Sequence, residues 1–149
     1  MAIPEELRRT AWFYSQNTGN AKARAGFEQQ LEIDGQPAVL VEMAEQFANL
    51  PDVAIPALCR LVELAQANVG YLVRLGFAYF SAGEDEEAEK CLRRAEALVP
   101  NDLEVMNLAA TLARDDASKR AIYARILARF PDDRVAYENL VALRGLEDH

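Results

Sequence analysis

The stretch from 69 to 102 constrains this chain more than any other. It reads Leu72-x2-Leu75-Gly76-x2-Tyr79-x8-Ala88-x3-Leu92-x2-Ala95-x4-Pro100. Apolar residues at three- and four-residue steps on either side of Gly83 predict two amphipathic helices, and a short connection between them makes them antiparallel neighbours. Gly76 and Ala88 are small where two helices cross closely, and Leu72, Leu75, Tyr79 and Leu92 fill the space between. Pro100 closes the second helix, because it cannot supply the amide that a further turn would use.

The pattern recurs. At a 34-residue period, Met106, Ala109, Ala110 and Ala113 take the slots of Leu72, Leu75, Gly76 and Tyr79. A second helix follows as Lys119-x3-Tyr123-x2-Ile126-x4-Pro131, after a turn shortened by three residues and with Lys119 where a small residue is expected. A last helix after Asp133 is expected to turn Tyr137, Leu140 and Val141 inward and to close the array with a polar outer face. Upstream, Leu7, Thr10, Ala11, Tyr14, Ala23 and Phe27 fit the slots, with Gly35 in place of the proline. Ala38, Val41, Ala54, Leu58 and Leu61 follow in register, but Glu42 and Glu45 replace the small and aromatic residues. Glycine stops and Asp or Asn caps between these runs divide the chain into about nine helices.

This spacing resembles the tetratricopeptide repeat, whose pattern is Trp-x2-Leu-Gly-x2-Tyr, then Ala-x3-Phe-x2-Ala-x4-Pro. The resemblance implies an all-α fold, a solenoid of antiparallel helix pairs forming a single domain over residues 1–149. Within it, 4–68 are divergent repeats or N-terminal helices, 69–102 the best repeat, 103–132 a shortened repeat, and 133–149 a capping helix and tail. It also implies an adapter whose concave face holds an extended peptide or a helix of a partner protein. One subclass grips acidic chaperone tails with a clamp of Lys, Asn and Arg; Arg8, Arg74 and Asn107 supply only fragments of it. The small acidic repeat chaperones of bacterial type III secretion, which shield apolar segments, are the nearer analogy.

Composition narrows the function classes. The chain has 149 residues, a hydrophobic fraction of 51% and a formal charge of −8, enough to bury a core. Such acidity disfavours nucleic acid and anionic membrane surfaces as partners. Cys59 and Cys91 lie far apart among apolar neighbours and are expected to be reduced core thiols. The N-terminus lacks a basic start followed by an apolar run, and nothing resembles a spanning segment, so the expected location is cytoplasmic. The single histidine is His149, expected to lie in a disordered tail, which removes His-based catalytic and metal arrangements. There is no GxxxxGK[ST], no GxGxxG and no calcium loop. The run Glu84-Asp85-Glu86-Glu87 suits a helix start, where negative side chains complement the dipole. No catalytic residue, metal or cofactor is expected.

The informative feature is surplus apolarity. On the helix around 69–82, Val73, Phe77 and Phe80 add a second apolar face, with Arg74 the only charge. Corresponding inner-face positions are Arg8 and Trp12 on the first helix, Val39 and Met43 on the third, and Asn107 and Thr111 on the seventh. These ten residues form the candidate partner-binding groove. Three readings of the apolar set stay open: a groove for a partner segment, a homodimer interface, or an intramolecular core. A fourth, an acidic inhibitor covering a basic enzyme, would use the outer surface instead.

Overall fold

A computed structural model describes residues 2–147; His149 lies outside them. Among the described residues nine helices follow one another. They are α1 (Glu5–Gln16), α2 (Ala21–Asp34), α3 (Pro37–Gln46), α4 (Pro51–Leu64), α5 (Val69–Ser81), α6 (Asp85–Leu98), α7 (Leu103–Leu112), α8 (Asp116–Arg129) and α9 (Arg134–Glu147).

The helix starts follow from local chemistry. Side-chain oxygens of Asn20, Asn68, Asp102, Asp115 and Asp133 accept hydrogen bonds from amides of the turns they precede, satisfying donors that no helical carbonyl can reach. Pro37 and Pro51 open α3 and α4, where the missing N–H costs nothing. Glu84 makes no side-chain cap, but Asp85, Glu86 and Glu87 fill the first turn of α6. Gly83, just beyond the end of α5, has φ 79°, which lets the Glu84 amide donate back to the Tyr79 carbonyl at 2.8 Å.

The cap of α8 should be visible to pH. Backbone hydrogen bonding from Ser118 holds the Asp115 carboxyl below its ordinary value. A folded value below the unfolded one means stabilisation that is present above the unfolded value and lost as pH falls through the folded one. The Ser118 amide resonance is therefore expected to titrate with a midpoint below that of a free aspartate. Asp115→Asn should abolish the titration; an unchanged curve would show that the cap is not the source.

Helices pair as α1–α2, α3–α4, α5–α6 and α7–α8; α4 packs on α5, both α5 and α6 on α7, and α9 on α8. The N-terminal pair enters differently, with α1 reaching α4. One apolar core runs from Ile3 to Leu108 and includes Leu7, Phe27, Leu40, Met43, Leu61 and Leu72. A second, small one joins Met106, Ile126 and Ala136, with Ile122, Tyr123 and Phe130 beside them. The repeat register explains the crossing at Gly76. A Cβ there would lie 2.6 Å from Leu108 Cδ2 and 3.4 Å from Cys91 Cβ, so α6 and α7 both approach α5 at this point.

Two positions depart from the repeat pattern. Lys119 stands where a small residue is expected, and its ammonium donates to the Ala110 carbonyl at 3.0 Å. That carbonyl lies in the last turn of the short α7, so the lysine satisfies an end group while its stem packs. Helix α9 does not bury Tyr137 or Val141. Ala136 and Leu140 face inward, whereas Tyr137 is 61% and Val141 49% exposed, because α9 packs mainly on the one neighbour α8.

Candidate functional site

A cleft opens where α3 ends, α4 begins and α5 passes. Ala44, Ala48, Ala54 and Ala78 leave room that larger side chains would fill, giving a cavity of ≈ 470 Å³ with Leu58 and Phe77 on its walls. Asn49, Pro51 and Ser81 line its edge, and Arg74 is the one charged residue of that lining among the described residues. Arg74 and Phe77 stand one turn apart on α5. The Arg74 Nη2 lies 3.9 Å from Glu45 Oε1, and both side chains are substantially exposed; such a pair contributes little. A carboxylate arriving from outside can therefore compete for Arg74 at low cost.

Of the ten candidate residues, the structure brings Arg74 and Phe77 together in this cleft. Val39, Met43 and Val73 are corrected: they are 2%, 0% and 3% exposed and present no surface to a partner. Helix α3 has only ten residues and buries Val39, Leu40, Met43 and Ala44, so both of its apolar faces are consumed by the core. Arg8 and Trp12 are exposed on α1, away from the cleft lining. Phe80 is 41% exposed but does not line the cavity. Asn107 and Thr111 are half-buried on α7, where the Thr111 hydroxyl donates to the Asn107 carbonyl at 2.9 Å. Sequence reasoning missed the alanines that make the cavity. Their signal was present: small residues at 44, 54 and 78 on three consecutive helices.

A second cleft, of ≈ 310 Å³, holds both cysteines between α4, α5 and α6. Cys91 is buried and Cys59 half-buried, and both are unpaired thiols. The Cys59 Sγ and Tyr79 Oη lie 3.3 Å apart. Burial raises the Cys59 thiol, pushes Cys91 up to about 11, and raises the Tyr79 hydroxyl. Thiols raised in this way are poor nucleophiles at neutral pH. Among the described residues no three His, Cys, Asp or Glu side chains are placed to hold a metal ion, and no helix is long and apolar enough to cross a membrane.

The tetratricopeptide repeat family model matches residues 69–112. Those residues carry a tetratricopeptide repeat. Solved structures agree on the tetratricopeptide-repeat fold. The first tetratricopeptide domain of Spaghetti (RPAP3), bound to the HSP90 peptide SRMEEVD, superposes with a TM-score of 0.65 at 18% identity, over 77% of this chain and 95% of that one. A tetratricopeptide repeat protein from Parabacteroides merdae gives 0.68 at 14% identity, over 95% of this chain and 58% of that one. The MamA protein gives 0.63 at 19% identity, over 97% and 86%. No curated protein matches the chain in sequence. The tetratricopeptide unit of 69–112 comprises α5, α6 and α7, and the cleft lies between the first of these helices, α3 and α4.

Proposed function

We propose that the protein is a non-catalytic interaction module, an adapter or escort that holds a segment of a partner protein in the cleft between α3, α4 and α5. One observation carries this reading: an open cavity walled by alanines and a part-exposed Phe77, with a single, weakly engaged arginine at its rim. An apolar anchor side chain of the partner would enter beside Phe77, where removal of water from apolar surface supplies the affinity. A carboxylate or backbone carbonyl next to the anchor would take Arg74. The adapter activity of repeat proteins and the peptide bound to Spaghetti support the class of function. The partner segment here differs, because the cleft offers one cation and an apolar floor.

The test combines solution mass, binding of an environment-sensitive apolar dye, and peptide display. The wild type is expected to be monomeric and to bind dye at one site that Phe77→Asp abolishes while helicity stays intact. Twelve-residue peptides selected on the wild type should displace the dye and lose at least tenfold in affinity to Arg74→Glu or Phe77→Asp. A wild-type dimer that binds no dye and falls to monomer in Phe77→Asp would sink the proposal in favour of self-association.

A further inference from the structure

The cleft that holds the two cysteines has a counterpart one repeat further on, between α6, α7 and α8. This third cleft has a volume of ≈ 260 Å³. At the 34-residue period, Arg93, Ala109 and Ala113 take the places of Cys59, Leu75 and Tyr79. Beyond the shortened turn the offset falls to 31 residues, as from Ala88 to Lys119, and Ile122 takes the place of Cys91. All four members of each set line their own cleft. The two hollows are therefore one feature of the repeat, and they differ in what fills them.

In the cysteine cleft Tyr79 reaches across from α5, and its Oη lies 3.3 Å from Cys59 Sγ on α4. In the third cleft Ala113 has nothing beyond its Cβ, and Ala109 replaces the leucine. Leu92, Leu112 and Ile122 remain as half-buried apolar walls. The polar end differs as well, because Arg93 stands where Cys59 meets the phenol. At that rim Glu89 Oε1 lies 3.4 Å from Arg114 Nη2, and Glu89 Oε2 lies 4.0 Å from Arg93 Nη1. Two guanidinium groups share one carboxylate, so donors and an acceptor stand side by side. A hydroxyl both donates and accepts, and it can join Glu89 and Arg93 without breaking either pair. An arriving carboxylate would meet the Glu89 charge instead.

We infer that the cleft between α6, α7 and α8 binds a para-substituted phenol, whose ring takes the place that Tyr79 holds in the preceding unit. The ring lies over Ala109 and Ala113 against the apolar walls, where removal of water supplies the affinity. The hydroxyl donates to Glu89 and accepts from Arg93. A free phenol and a tyrosine side chain of another protein share this chemistry. No residue lines both this cleft and the one between α3, α4 and α5, so the two sites are separate.

The probe is 4-methylphenol, titrated into the full chain and followed by the methyl resonances of Leu112, Ala113 and Ile122. Saturable binding is expected, with toluene weaker by about fivefold for want of the hydroxyl. Ala113→Tyr and Ala109→Leu restore the residues of the preceding unit, and each should abolish binding with helicity unchanged. Arg93→Met should remove the advantage of 4-methylphenol over toluene, and Phe77→Asp should leave binding unchanged. N-acetyltyrosinamide separates the sources. If it binds as well as 4-methylphenol, the occupant is a partner's tyrosine; if it is refused, the occupant is a free phenol, and both results require the site. Absence of saturable binding, toluene binding as tightly, or binding that survives Ala113→Tyr in a folded chain overturns the inference.

Discussion

Gly76→Val is expected to lower the melting temperature by roughly 6–12 °C, equivalent to about 3 kcal/mol in a chain of this size. The position is crowded from two sides. A first carbon already falls 2.6 Å from Leu108 Cδ2 and 3.4 Å from Cys91 Cβ, and Leu108 is fully buried, so it has no solvent to move into. Valine adds two further methyl groups and must push α6 or α7 away from α5. Gly76→Ala should cost less, because a mid-helix glycine replaced by alanine gains roughly 1 kcal/mol of helix propensity. Thermal denaturation followed by circular dichroism decides it. A melting temperature within a degree or two of wild type for the valine variant would mean that the three helices do not meet at residue 76.

Phe27→Ala carries the second large effect, about 3–5 kcal/mol, from lost burial and the cavity left behind. Phe27 is fully buried and stacks on Tyr14 with ring centroids 5.5 Å apart. It lies in the divergent N-terminal part, yet belongs to the same continuous core as Leu72 and Leu108. The loss should therefore appear as one shifted, cooperative transition. Hydrogen exchange provides the second reading: amides of α4 and α5 should lose protection together with those of α1 and α2. If only α1 and α2 exchanged faster, the N-terminal pair would be a separate unit docked on the repeats.

Much of the fold was legible because it is written in short-range chemistry. Caps at Asn68, Asp102, Asp115 and Asp133 and the glycine stop at 83 place helix ends within the sequence itself. The slot pattern from Leu72 to Pro100 gives the pairing of α5 with α6. The candidate site was legible only in part. Phe77 and Arg74 were found because their helix is apolar on two faces. Val39, Met43 and Val73 carry the same periodic signal, but periodicity does not say whether a neighbouring helix lies close enough to cover a face. The short α3 is covered on both sides; the outer face of α9 is not. The alanine pocket was invisible because a cavity is defined by atoms that are missing from three separate segments. Lys119 departs from the pattern for a related reason: its slot is apolar, but its ammonium reaches past it to the Ala110 carbonyl.

The division of the interior at α7 has a mechanical consequence. Val105 and Leu108 anchor that helix to the large core, while Met106 turns the other way to hold Ile126 and Ala136. Tension or thermal agitation meets a thin seam on the C-terminal side and a thick one on the N-terminal side. Opening is then directional: α9 and α8 peel away first, as the least protected segment of a linear array, with α7 as the doorstop at which unravelling halts.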